Sequence, residues 1–354
     1  MKIHYDNIVF SLQQAGGIST YWSELISRLL RDQVELTFEE FQHNNIVRDT
    51  LPISQAQITR SAGKFLILER FKPVRFSAHE QRFVFHSSYN RIINHPNAIQ
   101  VTTVHDFVHE KFYNGIRRRL HLMQKNKVLR AADQIITVSE HTKRDLLEFH
   151  PQLSENNIKV VYNGVSEDFF PLDRQLLDQL TEYNTRPYLL YIGSRESYKN
   201  FNFTVELLHN TPDLDLYIVG SALAKVELQL LTRKLPGRWK QFAHISNARL
   251  NELYNAAFAL IYPSRYEGFG IPLLEAMKAG TPFLALNNSA IPEVAGGAGC
   301  LLEQADIGMF KEAIHKISVD RELMVRNGFK QAEKFSWEKC YQETSAIYKE
   351  LFNQ

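Results

Sequence analysis

The chain has 354 residues, 44% hydrophobic and 23% charged, with 41 Lys and Arg against 39 Asp and Glu for a net charge of +2. That length exceeds what one core usually organises and predicts two domains, while the composition excludes a disordered, collagenous or repeat protein. The opening Met1-Lys2-Ile3-His4-Tyr5-Asp6 carries His and Asp in its only apolar stretch, which argues against a signal-peptide core, and no later run is long enough to span a bilayer. A cytoplasmic location is expected. Cys300 and Cys340 show neither the number nor the spacing of a disulfide framework or a zinc site.

Short apolar, β-rich runs alternate with helical-period segments along the whole length, the pattern of parallel sheets covered by helices on both faces. Both halves are therefore predicted to be α/β. In the first half strands are expected over 8–12, 34–38, 83–86, 100–104, 134–138 and 158–161. Gly16 and Gly17 follow the first of them, with Ser19 as the expected N-cap of a helix. Between 60 and 130, the cations Arg60, Lys64, Arg70, Lys72, Arg75, Arg82, Arg91, Lys111, Arg117, Arg118, Arg119, Lys125, Lys127 and Arg130 face only Glu69, Glu80, Asp106 and Glu110. Phe65, Leu66, Ile67, Leu68, Phe71 and Phe76 are interleaved with them. Such a region suits an anionic membrane surface or a phosphorylated lipid, with a solvated face as the plainer alternative; no recognition motif accompanies it, so nucleic acid is not expected. Turn chemistry after Asn163-Gly164-Val165 and at Asn184-Thr185-Arg186-Pro187 places an interdomain linker in 166–186. The second half predicts strands over 188–192, 214–219, 242–245, 259–262, 283–286 and 299–302, and a last helical segment beginning at Ser336-Trp337.

The chemistry concentrates in Tyr266-Glu267-Gly268-Phe269-Gly270-Ile271-Pro272-Leu273-Leu274-Glu275-Ala276-Met277. A strand ending near Tyr262 runs into a glycine-punctuated loop, and Pro272 sits where the first turn of a helix accepts it. Gly268 and Gly270 let backbone approach a ligand, and amides at Gly270 and Ile271 would face an anion such as a diphosphate. Glu267 and Glu275 flank that amide pocket, placed to accept hydrogen bonds from sugar and ribose hydroxyls. Gly193, Arg195 and Lys199 follow another strand end, where open α/β sheets bind ligands. There Arg195 and Lys199 are suited to phosphate oxygens and to charge building on a leaving diphosphate. Two patterns mislead. Asp213-Leu214-Asp215 imitates a metal-binding Asp-x-Asp, but it follows Thr211-Pro212 and opens a strand, so turn chemistry accounts for it. His105-Asp106-Phe107-Val108-His109 imitates a zinc-protease helix, but it follows the strand at 100–104.

The 266–277 stretch resembles the donor-binding signature of the retaining family 4 glycosyltransferases, whose two glutamates stand eight positions apart. Gly16-Gly17-Ile18-Ser19, His105-Asp106, Asn163-Gly164-Val165 and Ile192-Gly193-Ser194-Arg195 with Lys199-Asn200 resemble further motifs of that family, so the resemblance spans almost the entire chain. It implies a GT-B fold of two Rossmann-like, doubly wound domains facing each other across a cleft. The first, 1–170, would bind the acceptor and the second, 186–335, the nucleotide sugar; a C-terminal helix, 336–354, would cross back to the first near Trp337. The implied enzyme is a retaining, metal-independent hexosyltransferase, mannose-type or similar, using a nucleoside-diphosphate sugar. Its acceptor would be a hydroxyl of a lipid-linked or polysaccharide glycan in cell-surface synthesis, such as O-antigen or lipopolysaccharide, at the inner face of the membrane. The implied catalytic residues are Glu267, His105, Arg195 and Lys199. Donor binding would use Gly16, Gly17, Arg195, Lys199, Gly220, Ile245, Gly268, Phe269, Gly270, Ile271 and Glu275, with no metal and no cofactor. Glu267 would stabilise the developing sugar cation, with front-face substitution within an ion pair as the family's usual proposal. A sugar-nucleotide epimerase or phosphorylase of the same fold, or a non-catalytic nucleotide-sugar-binding subunit, are the alternatives.

Overall fold

The computed structural model describes residues 1–61, 66–74, 81–173, 175, 177 and 186–354. The chain divides into two compact units, one made of 1–163 with 337–354 and the other of 164–336. Lys64, Phe65, Arg75, Phe76 and Glu80 of the basic region, and most of 174–185 in the expected linker, lie outside the described residues.

In the first unit, strands β1 (Lys2–Tyr5), β2 (Glu35–Glu40), β3 (Ile58–Arg60), β4 (Phe83–Ser87), β5 (Ala98–Val104), β6 (Gln134–Thr137) and β7 (Ile158–Val160) form a parallel sheet in the order β3-β2-β1-β4-β5-β6-β7. The expected first strand at 8–12 is instead the short helix Val9–Leu12, and the strand lies before it. Polar side chains disguise β1: His4 is buried, with Nδ1 bonded to Thr37 Oγ1 at 3.0 Å. Asn7, in the left-handed region at φ 38°, then turns the chain, and Val9 and Phe10 bury themselves as a helical turn.

The helix Gly17–Arg31 covers the sheet with Tyr21, Trp22, Leu25, Ile26 and Leu29, an apolar stripe at helical spacing. Beside it packs the C-terminal helix Trp337–Asn353, which belongs to this unit although its sequence follows all of the second. Ion pairs from Arg28 (3.3 Å) and Arg31 (2.9 Å) to Glu338 and a 2.6 Å bond from the Tyr341 hydroxyl to Asp32 fasten the two helices on their outer side. Inside, the Tyr348 hydroxyl meets His86 Nδ1 at 2.5 Å and the Tyr5 hydroxyl at 3.0 Å. Burial holds the His86 imidazole neutral, so the chain of hydrogen bonds carries no buried charge.

Part of the basic region is internal. Arg91 is buried against Glu39 and Asp6, and Lys125 donates to Glu110 (2.9 Å) and the Asp106 carbonyl (2.8 Å) beneath the Phe107 ring. A cation that must be paired to be buried is not part of a solvated face, and these two leave the surface patch.

In the second unit, β8 (Tyr188–Ile192), β9 (Asp215–Val219), β10 (Trp239–Phe242), β11 (Ala259–Tyr262), β12 (Phe283–Leu286) and β13 (Cys300–Leu302) form a parallel sheet ordered β10-β9-β8-β11-β12-β13. Helices Phe201–His209, Lys225–Lys234, Asn247–Ala256, Ile271–Ala279 and Ile307–Ala332 alternate with them. The strand expected at 242–245 is displaced to β10, an edge strand paired with β9 alone, where Lys240 and Gln241 keep a solvated side. Residues 164–170, expected to close the first domain, and 166–173, expected in the linker, belong instead to this unit. Phe169 is buried against Tyr254, and the amides of Phe170 and Leu172 donate to Asn251 (3.1 Å) and Asn255 (2.7 Å).

Candidate active site

In the second sheet the strand order reverses between β8 and β11, and ligands of doubly wound sheets bind outside the strand ends at such a point. The loops leaving β8 and β11 are stitched together there. The Asn200 side chain donates to the Pro263 carbonyl (2.8 Å) and the Arg265 amide to the Tyr198 carbonyl (2.7 Å). Between these ties Lys199 Nζ meets Glu267 Oε1 at 2.5 Å, with the two side chains 14% and 12% exposed. Lys199 also lies 5.4 Å and 5.6 Å from the Tyr198 and Tyr262 ring centres. Burial and the adjacent Glu267 push the Tyr262 phenol well up, keeping it a neutral hydrogen-bond donor. The Glu267 amide is held by Ser289 Oγ (2.9 Å), itself in a left-handed conformation at φ 51°.

Arg195 stands beside this pair on the β9 side. Its Nη2 donates to the carbonyls of Ser221 (3.0 Å) and Ala222 (2.8 Å), and Nε ion-pairs with Glu227 at 2.9 Å. Its Nη1, buried, has no hydrogen-bond partner. Gly220 makes room for this arrangement: a Cβ there would sit 2.6 Å from the Gly193 carbonyl oxygen and 3.4 Å from Arg195 Nη1. Ile245 lies half-buried in the loop after β10, whose following helix is capped by Ser246.

After β11, Gly268 and the buried Phe269 lead to Gly270 at φ 112°, a conformation that favours glycine, and then to the helix Ile271–Ala279 with Pro272 in its first turn. No side chain caps that helix, so its N-terminal dipole faces the loop. Glu275 projects from the second turn. Burial raises its carboxyl to about 7, against an opposing hydrogen bond from the Tyr254 hydroxyl to Oε2 at 2.7 Å. Tyr254, fully buried, also donates to the Pro272 carbonyl (3.2 Å), so one phenol fixes both the carboxyl and the helix start.

The remaining expected residues fall in the first unit. Gly16 and Gly17 are exposed at the start of the helix Gly17–Arg31, with Gly16 itself as N-cap. Ser19 is not the cap: it is buried inside the first turn and its hydroxyl donates to the Gly16 carbonyl (2.9 Å). His105 follows β5 and meets the Tyr21 ring of that helix edge-on, 5.0 Å between centres. Burial lowers its imidazole to about 4, and its buried Nε2 has no hydrogen-bond partner. Gly16, Gly17 and His105 thus share one corner of the first unit. The other named residues share one sheet edge of the second.

Sequence reasoning named the strand end at Tyr262 without a role for its phenol, and it missed Tyr254, Glu227 and Ser289, which hold the named residues from elsewhere in the chain. No short-range pattern announces them, since each is recognised only by the strand order that brings its loop or helix alongside.

Comparison with known proteins agrees with this architecture. The profile described as glycosyl transferases group 1 matches residues 173–334, and that described as glycosyltransferase family 4 matches 15–169. O-antigen chain mannosyltransferase B of Escherichia coli is 28% identical over 95% of this chain and 96% of its own. Among solved structures, sucrose-phosphate synthase from Thermosynechococcus elongatus superposes with a TM-score of 0.80 at 19% identity, covering 100% of this chain and 99% of that one. HepE of Anabaena, solved with UDP-glucose, gives 0.76 at 16% identity over 98% and 99%. The paired Rossmann-like sheets are those of the GT-B fold.

Proposed function

The chain belongs to glycosyltransferase family 4, and from that premise we propose that it moves a hexose, mannose-type, from a nucleoside-diphosphate sugar to a hydroxyl of a lipid-linked or polysaccharide acceptor, with retention at the anomeric carbon. The mannose assignment is supported by the Escherichia coli relative, which is named as an O-antigen chain mannosyltransferase and matches this chain nearly end to end. The second unit takes the donor and the first offers the acceptor side. The work belongs to the inner face of the membrane, and among the described residues no helix is long and apolar enough to cross one.

The observation that carries this reading is the Lys199–Glu267 pair at the strand-order reversal. Breaking a glycosyl-phosphate bond puts negative charge on the departing diphosphate and positive charge on the sugar ring. Lys199 and the unpartnered Nη1 of Arg195 are cations for the first, and Glu267 is an anion for the second. Together they offset both charges without calling on a metal ion. A bound diphosphate competes for Lys199 and turns Glu267 toward the sugar. The acceptor oxygen then bonds to the anomeric carbon on the face the diphosphate leaves, and the hydroxyl proton passes to the departing phosphate oxygen. Glu275 is suited to hydrogen-bond sugar or ribose hydroxyls in the second unit, and the neutral His105 imidazole is a hydrogen-bonding group that the first unit offers.

The test is a thermal-shift screen against nucleoside diphosphates without divalent metal, followed by turnover with the matching sugar nucleotides. One diphosphate should raise the melting temperature of the wild type, and Lys199→Met should abolish the shift. Glu267→Gln should keep the shift and lose turnover by on the order of a hundredfold. Wild-type turnover in Glu267→Gln would refute the assignment.

A further inference from the structure

The helix Gly115–Ala131 carries Arg117, Arg118, Arg119, Lys125, Lys127 and Arg130 and not one acidic residue. Its two faces differ. His121, Gln124, Lys125, Val128 and Leu129 are buried against the first unit. At 100° per residue, Arg119, Arg130, Met123, Ile116, Lys127 and Leu120 fall in one stripe about 100° wide on the opposite face. Ile116 is 74% exposed, Met123 57% and Leu120 40%, which is uncommon for side chains of that size. Among the described residues, Arg117, Arg119, Lys127 and Arg130 have no ion-pair partner. The stripe from Ile116 to Arg130 is about 21 Å long at 1.5 Å per residue.

Beside it runs an open groove of about 700 Å³, lined by Ile92, Leu122, Met123, Arg119, Lys127 and Arg130. A smaller hollow of about 200 Å³ shares Ile92, Met123 and Lys127 with it and adds Arg70 and Lys72. Cations and exposed apolar side chains therefore alternate along the helix and around a groove able to admit a phosphate headgroup. A purely electrostatic partner would have no use for Ile116, Leu120 and Met123, and an apolar partner would have none for four unpaired cations. An anionic bilayer uses both, because its interface takes up apolar side chains while its phosphates attract the cations.

We propose that this stripe is the surface by which the first unit lies on a bilayer containing anionic phospholipid, the helix in the plane of the interface and the groove against the headgroups. It rests on the membrane-facing reading above for its biological sense, but its test requires no turnover.

Flotation with vesicles of phosphatidylcholine alone, or mixed with an equal part of phosphatidylglycerol, tests it directly. The wild type should float with the mixed vesicles and not with the neutral ones, and added salt should weaken the association. Removing one surface cation costs about fivefold in partitioning, so Arg119→Gln with Lys127→Gln should lose roughly thirtyfold. Ile116→Ser with Leu120→Ser should weaken binding at every salt concentration. All four side chains are exposed or rim the groove, so the melting temperature and the nucleotide-induced shift should stay those of the wild type. Equal flotation of wild type and both double variants would overturn the proposal, as would equal binding to neutral vesicles. So would loss of duplex RNA binding in the variants with vesicle binding unchanged, which would give the surface to nucleic acid. If vesicle binding behaves as stated while no nucleoside diphosphate shifts the melting temperature, the surface stands and the transferase reading falls.

Discussion

Replacing Glu275 by Gln should make the second unit more stable at alkaline pH while weakening its hold on the donor. The carboxyl is raised from its ordinary 4.5 to about 7 because burial disfavours the charged form. Between those two values the folded state keeps a proton that the unfolded state has released. Stability therefore falls as pH rises through that window and stays lower above it. At 1.36 kcal/mol per unit the loss is about 3 kcal/mol. Glutamine is uncharged at every pH, matches the shape, and its carbonyl accepts the same bond from the Tyr254 hydroxyl. The variant should thus equal the wild type near pH 4.5 and exceed it at pH 8, by on the order of 5–10 °C in melting temperature for a unit of this size. Paired melts at the two pH values give the first half of the result. Titration of the nucleoside diphosphate at pH 8 gives the second, since a carboxylate binds ribose hydroxyls more strongly than an amide and affinity should drop about tenfold. A variant whose melting temperature follows the same pH slope as the wild type would show that Glu275 is not desolvated, and the argument would fail.

Gly220→Ala should cost about 2 kcal/mol and weaken nucleotide binding together, because the added Cβ lands 2.6 Å from the Gly193 carbonyl and forces apart the loops that hold Arg195. Gly193→Ala has open space and strains only its φ of 124°, so calorimetry should find it the milder change; equal effects would refute the crowding argument. Burial keeps His105 neutral down to about pH 4, so kcat should show no titration near 6.5, and donor binding should change only near pH 7, through Glu275. A kcat limb at 6.5 that vanishes in His105→Gln would contradict this.

Much of the second sheet is readable in the sequence, where β8, β11 and β12 fall on the expected residues because continuous apolar runs bounded by turn residues have no competing reading. The loop at 266–277 is legible for a related reason: glycine and proline report backbone conformation directly, and Gly270 and Pro272 occupy the positions their chemistry suits. β1 was hidden because His4 satisfies itself through Thr37, a pairing that exists only once β2 lies alongside. Ser19 has the chemistry of a cap, but Gly16 caps the helix three residues earlier, and the Ser19 hydroxyl donates to the Gly16 carbonyl rather than accepting from a backbone amide. Charge was legible as a sum and not as a surface. Arg91 and Lys125 read like Arg119 and Lys127 until their buried partners are seen.

The hydroxyl contact between Tyr5 and Tyr348 joins residues 343 apart, and everything the second unit is made of is translated between them. As the chain leaves the ribosome, the second unit is complete when residue 336 emerges, whereas the first still lacks the helix that packs on Tyr21 and His86. The unit begun first is therefore finished last, and until then its aromatic interior is open to whatever chaperone or neighbouring nascent chain reaches it. A premature stop before Tyr348 would leave a sound second unit attached to a first unit that lacks the hydroxyl meeting His86 and Tyr5.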